Sequence, residues 1–292
     1  MDVRDLHGRS ALVTGAASGI GRATALACAR RGASLVLCDV DEAGLADVER
    51  DIRTLGRDVL ARRVDVGSPA EMEAFAAEVH RERDAVDLLV NNAGVGLGGL
   101  FLETSLEDWE WIARINLFGV IHGCHFFVPE MVRRGRRGHV VNVASAAAYA
   151  PLPAQSAYAA TKFAIVGLSE CLRAELAPFG IGVTAVCPGF IDTPIVERSR
   201  LRGMAADPEN RRRTLAFYRR RGYRPERVAR NLLKAVQRGR ALAPISAEAW
   251  GMYYVARAVP GLFRWVNRRL AGQVAGPRLR AQDPSAAGPG PE

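Results

Sequence analysis

The sequence predicts a doubly wound α/β domain, a central parallel sheet covered by helices on both faces, and three observations predict it. Short Val- and Leu-rich runs alternate with longer stretches of helical spacing. A glycine-rich turn joins the first run to the first helical stretch. The composition, 49% hydrophobic and 24% charged over 292 residues, is that of a globular chain able to bury a core without disulfide or metal staples.

The elements follow in order. Ser10–Thr14 (SALVT) reads as a buried strand and Gly19–Arg31 as a helix. Ser34–Cys38 is a second strand, Glu42–Leu55 a helix, Val59–Val64 a third strand and Pro69–Arg83 a third helix. Leu88–Val90 is the fourth strand. Leu106–Arg134 is a long helical region with a bend expected near Asn116–Gly119. His139–Val143 (HVVNV) is the fifth strand, Tyr158–Pro178 a long helix, and Gly182–Cys187 (GVTAVC) the sixth strand. Strands each followed by a helix imply a parallel sheet, and such sheets bind ligands beyond the carboxyl ends of their strands. After Ile195 the pattern degrades. Glu197–Tyr223 is Arg-rich, Pro225–Arg238 reads as a helix and Ala241–Ile245 as a last short strand. Trp250–Leu270 is amphipathic, with Pro260 expected to break or kink it. The chain thus divides into a main domain over 1–245 with a lid over about 192–225, an amphipathic extension over 246–270 and a loose tail over 271–292.

The net charge of +9 is uneven. Residues 1–196 carry 19 basic and 24 acidic side chains, and residues 197–292 carry 21 and 7. The basic last third suits a solvated surface, an acidic partner or an anionic membrane surface. No helix-turn-helix, finger or RNA-binding signature accompanies it, so nucleic acid is not an expected partner. Cys28, Cys38, Cys124, Cys171 and Cys187 show no metal-ligand spacing, and the N-terminus has no apolar leader. Both fit a reducing, cytoplasmic location. His122, Cys124 and His125 fall on the long helix and read as packing or subunit-facing residues, so no metal site is expected.

Two motifs carry chemistry. In Thr14-Gly15-Ala16-Ala17-Ser18-Gly19-Ile20-Gly21 the glycines let the backbone turn tightly and approach a pyrophosphate, for which the following helix supplies free N–H donors. The next strand ends in Asp39, at the spacing of an acidic ribose-binding position. A carboxylate there accepts ribose hydroxyls and repels a 2′-phosphate. Ser18 and Val40 offer that phosphate no cation, so NAD is favoured over NADP. In Tyr158-Ala159-Ala160-Thr161-Lys162 the tyrosine and lysine share a helix face. A nearby ammonium favours the phenolate, which makes this spacing a recipe for a tyrosine acid/base. Ser145 lies thirteen residues upstream, just past the fifth strand, where its hydroxyl could hold a substrate oxygen against Tyr158.

With these residues in order, the sequence resembles the short-chain dehydrogenases/reductases, in their compact single-domain oxidoreductase branch with a Rossmann-type three-layer sandwich. The resemblance covers roughly residues 8–195 and extends loosely to about 245. It rests on TGAASGIG (14–21), Asp39, Asp65-Val66, Asn91-Asn92-Ala93-Gly94, Asn116, Ser145 with Tyr158 and Lys162, and Pro188-Gly189 with Thr193. It implies Tyr158 as acid/base, Lys162 on the nicotinamide ribose and lowering the tyrosine pKa, and Ser145 orienting the substrate oxygen. It also implies that Asn116 holds a water linking Lys162 to solvent. Asp65 and Val66 would contact adenine, while Asn92, Ala93 and Gly94 line the cofactor. Pro188, Gly189 and Thr193 would hold the nicotinamide. A homodimer or homotetramer built on the helices around Asn116 and Tyr158 is likewise implied.

The expected reaction is hydride transfer between NAD and a secondary alcohol/ketone pair. The expected pocket comprises Val95–Leu100, Ala146–Pro153, Gln155, Phe190 and the segment from Ile195 to about Tyr223. Leu97, Leu100, Tyr149, Leu152, Phe190, Ile195 and Val196 make it apolar, which points to a hydrophobic alcohol or ketone. The rivals are an NADPH-dependent ketone or β-ketoacyl-type reductase, which Asp39 opposes, and a non-catalytic NAD-sensing protein. The aromatic and Arg-rich 241–270 segment suits packing on its own or a neighbouring subunit, or a peripheral membrane contact.

Overall fold

A computed structural model describes residues 1–83 and 85–281. Seven parallel strands form the central sheet. They are β1 (Ser10–Thr14), β2 (Ser34–Asp39), β3 (Val59–Arg63), β4 (Leu88–Asn91), β6 (Gly138–Val143), β7 (Ile181–Cys187) and β9 (Leu242–Pro244), in the order β3-β2-β1-β4-β6-β7-β9. A separate two-stranded parallel ladder joins β5 (Leu97–Gly98) to β8 (Arg200–Leu201). The strands alternate as a doubly covered sheet must. Val13, Leu35, Leu37 and Val141 face a core shared with α1 (Gly19–Ala29), α2 (Glu42–Thr54) and α9 (Pro225–Gln237). Leu12, Val36, Leu89 and Val140 face a second core with α3 (Pro69–Glu82), α5 (Gly119–Arg134) and α6 (Ser156–Leu176). Strand order reverses between β1 and β4, and a crevice opens at the carboxyl ends of the strands there.

The long apolar helical run is continuous, and one π turn falls where a bend was expected. α4 (Leu106–Ala113) and α5 are joined by one π turn, Arg114–Phe118, that contains the buried Asn116. By length and composition this run could cross a membrane. Here its Val120, Phe127 and Met131 are buried in the core against α3 and the sheet.

The last third holds α7 (Ile195–Arg198), α8 (Pro208–Arg221), α10 (Ala247–Ala258) and α11 (Pro260–Ala281). The amphipathic segment divides at Val259, with Pro260 opening the second helix, where its missing N–H costs nothing. The expectation of a loose tail from Ala271 is corrected: the helix runs on to Ala281. Ala, Leu, Gln and Arg are strong helix formers, and the scattered glycines and Pro277 that suggested a tail do not stop it. Residues 282–292 lie outside the described residues.

His139, the second residue of β6, is buried, its Nε2 2.8 Å from Thr184 Oγ1. Thr184 donates to the Arg240 carbonyl at 2.6 Å, so it must accept from His139, whose Nε2 therefore carries a proton. Burial pushes the His139 pKa from 6.5 down to about 3. Between those values the unfolded chain binds a proton that the folded chain refuses. Stability is therefore full above pH 6.5 and falls as acid is added, by about 1.4 kcal/mol per pH unit. Denaturant unfolding should show this slope, and His139→Gln should flatten it. Equal slopes in both proteins would refute the assignment.

Candidate active site

A cavity of about 540 Å³ lies over the carboxyl ends of the strands. At its floor the β1–α1 turn is built by close approach. A Cβ on Gly21 would stand 2.0 Å from the Gly15 carbonyl oxygen, and one on Gly15 (φ +64°) 2.7 Å from Ala93 Cα. Asn92 ties the turn to β4, its Nδ2 donating to the Thr14 and Gly15 carbonyls at 2.9 and 3.1 Å. The N-termini of α2, α3, α4, α8 and α10 are capped by their own Asp41, Ser68, Ser105, Asp207 and Ser246 side chains. Ser18, before α1, makes no such bond, and the first turn of α1 carries no acid. That helix end can take an anion, so the turn fits a pyrophosphate.

Gly15, Ser18, Gly19, Ile20, Asp39, Asp65, Val66, Asn92, Ala93, Gly94, Pro188, Gly189 and Thr193 all line the cavity, whereas Gly21 acts from behind by letting α1 approach the turn. Asp39 also has a local structural duty. Its carboxylate accepts the Ala17 N–H at 2.9 Å and the Asp41 N–H at 3.0 Å, which leaves lone pairs for a ribose. Asp65 accepts from Arg114 Nη1 at 2.7 Å and from Gly67 N at 2.8 Å.

Ser145, Tyr158 and Lys162 come together on one wall. Ser145 sits just past β6, with its Oγ accepting the Ala147 N–H at 3.2 Å. The Ser145 hydroxyl lies beside that of Tyr158, where it favours the ionised form of the phenol. Lys162 is buried and donates from Nζ to the Val143 carbonyl at 3.1 Å, with Nζ 5.6 Å from the Tyr158 ring centre. Burial raises the Tyr158 pKa, with the Ser145 hydroxyl working against it, and burial lowers Lys162 to about 8. Asn116 also has a different observed task. Its side chain accepts Val95 N–H at 2.8 Å and donates to the Val95 carbonyl at 2.9 Å, so it splints the segment entering the cavity.

Leu97, Leu152, Gln155, Phe190, Ile195 and Val196 line the cavity as expected of substrate-side residues. Tyr149 does not, and neither does Leu100. The Tyr149 ring turns away to stack edge-on against Tyr253, and its hydroxyl donates to the Ala249 carbonyl at 2.9 Å. The expectation for Tyr149 as a substrate residue is therefore corrected: it anchors α10. Among the described residues no cluster of His, Cys, Asp or Glu could hold a metal. His122 instead bonds the Val66 carbonyl through Nδ1 at 2.8 Å.

The lid is held at its middle. β8 lies against β5, with Arg200 N donating to Gly96 O at 3.0 Å and Arg202 N to Gly98 O at 2.7 Å. A Cβ on Gly96 would stand 2.1 Å from Ser199 Oγ, and one on Gly99 2.8 Å from Arg202 Cβ, so the glycine run lets the lid lie flush. Arg202 grips the buried Asp108 through two hydrogen bonds of 2.7 and 2.6 Å, and Arg200 lies 3.8 Å over the Trp111 ring. Beyond the clamp, α8 turns Arg211, Thr214, Leu215 and Tyr218 into the cavity. None of these four was singled out from sequence, although their spacing of three, one and three residues is that of one helical face. Burial and the nearness of Tyr158 raise Tyr218 to about 12. Arg198 was also missed. It lines the cavity and pairs with Asp41, two residues past Asp39, at 3.3 Å.

Comparison with known proteins agrees with this site. The family model for short chain dehydrogenase matches residues 9–202. EphD of Mycobacterium tuberculosis, named as an oxidoreductase, is 42% identical over 260 residues, which is 88% of this chain and 44% of EphD. The chain therefore spans less than half the length of that relative. SadH of the same organism, also named as an oxidoreductase, is 35% identical over 273 residues, 92% of this chain and 96% of SadH. A short chain dehydrogenase/reductase from Burkholderia phymatum, solved in complex with NAD, superposes with a TM-score of 0.81 at 33% identity, covering 88% of this chain and 96% of the other. A parallel sheet with its switch point under a glycine turn, and Ser145, Tyr158 and Lys162 on the facing wall, accord with that match: the chain belongs to the short-chain dehydrogenase/reductase family.

Proposed function

We propose that the protein interconverts an apolar secondary alcohol and the matching ketone with NAD. One observation carries the reading: the neighbouring Ser145 and Tyr158 side chains line the same cavity as the uncapped turn of α1. NAD, when bound, supplies or accepts the hydride. The chain does the rest. Gly15–Gly21 would hold the pyrophosphate and Asp39 the adenosine ribose. Asp65 and Val66 would flank the adenine. Lys162 would hold the nicotinamide ribose, and Pro188, Gly189 and Thr193 the nicotinamide. Ser145 and Tyr158 donate to a ketone oxygen, and the Tyr158 proton passes to it as the alcohol forms. Leu152, Phe190, Ile195 and Leu215 favour an apolar body around that oxygen. Half-exposed Phe118 and Phe163, on the helical run through Asn116 and on α6, support self-association there as a dimer or tetramer.

Arg198 supports a second reading, an NADPH-dependent ketone or β-ketoacyl-type reductase. It brings a cation to within one ion pair of Asp41, and through it to the end of β2. Titration with NADH and NADPH, then turnover of apolar ketones and secondary alcohols, separates the two. NADH should bind more tightly. Asp39→Asn keeps an oxygen for the Ala17 N–H but loses the charge, and should shrink that preference by about tenfold. Preference for NADPH in the unmodified chain would favour the Arg198 reading. No turnover with either cofactor would sink both.

A further inference from the structure

The surface of α10 and α11 has a composition that neither the cofactor site nor the lid uses. Between residues 249 and 272 there are four arginines and no aspartate or glutamate, while Glu248, in the first turn of α10, lies against Gly189. α11 touches the body along one narrow stripe. Phe263, Asn267 and Ala271, four residues apart, are half-buried, and Asn267 Nδ2 donates to the Pro151 carbonyl at 2.8 Å. The adjoining stripe, Leu262, Val266 and Leu270, is also four residues apart and lies open, with Leu262 49% exposed. Trp265 borders it at 54% exposure, with the Arg269 guanidinium 4.9 Å from its ring centre. On α10, Arg257 stacks likewise on Tyr253 at 4.9 Å, beside exposed Tyr254 and Val255. Exposed apolar side chains, ring systems and arginines on flexible stems therefore recur along both helices, with no acid among residues 249–272 to balance them.

We propose that this face docks on an anionic lipid bilayer. The chemistry is complementary on both counts. The open aliphatic stripe and Trp265 suit the boundary between headgroups and acyl chains. The arginines reach lipid phosphates while their stems stay in apolar surroundings. Docking there also has a consequence for the cavity. Met252 of α10 lines it, and the loop that holds α11 through Pro151 continues into the cavity-lining Leu152 and Pro153. The cavity mouth is thereby brought to the bilayer surface, where an apolar substrate would be dissolved. The docking itself needs no turnover and is measured apart from it.

The test is co-sedimentation of the full chain with vesicles of phosphatidylcholine alone and of phosphatidylcholine mixed with phosphatidylglycerol. Partition should favour the mixed vesicles, with a blue shift of tryptophan emission, and should fall as salt is raised. Arg264→Gln with Arg269→Gln should lower it on the order of twentyfold, about fivefold for each arginine. Leu262→Glu with Val266→Glu should abolish it, while both double variants keep the NADH affinity and melting temperature of the parent. Three outcomes overturn the proposal. One is no partition into either vesicle, and another is partition indifferent to lipid charge. The third is a fall in oligomer size of Leu262→Glu with Val266→Glu in sedimentation velocity without lipid, which would assign the face to a second copy of the chain.

Discussion

Tyr158→Phe should lower kcat by about two to four orders of magnitude, the share a positioned acid–base group supplies, with NADH affinity nearly unchanged. The substitution removes one hydroxyl and keeps the ring that fills the wall. Ser145 loses the neighbouring hydroxyl but retains the Ala147 N–H. Steady-state turnover of the best ketone, beside an NADH titration, measures both halves. Turnover within tenfold of the parent would remove Tyr158 from the acid–base role. The pH profile gives an independent check. Burial holds the Tyr158 pKa above its ordinary value, so the phenol is the stable form at neutral pH. Ketone reduction, which needs the proton on Tyr158, should persist through neutral and mildly alkaline solution and decline only beyond about pH 10, the range of a free phenol. Alcohol oxidation, which needs the phenolate, should rise with pH over the same interval.

Asp87→Ala should destabilise the fold by about 3 kcal/mol without altering cofactor affinity in the molecules that remain folded. Asp87 precedes β4 at the amino end of the sheet, the end away from the cavity. It is buried, and its carboxylate accepts from Arg9 Nη1 at 2.6 Å, Ser10 N at 2.9 Å and Arg134 Nη2 at 3.1 Å. Its removal strands Arg134, whose side chain is only 5% exposed. The magnitude sits at the lower end for a broken buried pair for two reasons. Arg134 keeps the Ala85 and Val86 carbonyls, and Arg9 is partly in water. Denaturant unfolding of parent and variant gives the difference directly. A loss below about 1 kcal/mol would mean that water reaches Arg134 and takes the place of the carboxylate.

What could be read in advance was what is local. The strands showed as apolar runs because a sheet covered on both faces leaves no polar alternation. The irregularity at Asn116, a π turn, showed because a polar residue interrupted an apolar helix. The cofactor turn, Ser145 and the Tyr158–Lys162 spacing each sit within one strand–turn–helix unit. Residues that meet only through the tertiary fold were not legible. Arg202 reaches Asp108 across 94 positions and Arg198 reaches Asp41 across 157. Nothing near either residue marks its partner. Tyr149 misled because adjacency to Ser145 in sequence does not set which way a ring turns, and Tyr253, whose ring it meets, lies more than a hundred residues away. For the lysine, helical spacing predicts a face shared with Tyr158, but not that its ammonium also bonds the Val143 carbonyl.

The seat of β8 on β5 sets how the roof of the cavity can behave. A flap hinged at one edge swings as a whole, but this roof resembles a beam resting on a central pillar. The pillar is made of two backbone hydrogen bonds, the two-pronged Arg202–Asp108 grip and the Arg200–Trp111 stack. The two arms can therefore deflect separately. One carries Thr193 and Arg198 over the dinucleotide half, and the other carries α8 over the substrate half. Leu97 of β5 and Leu201 of β8 also line the cavity, so the support that carries the roof is part of the wall beneath it.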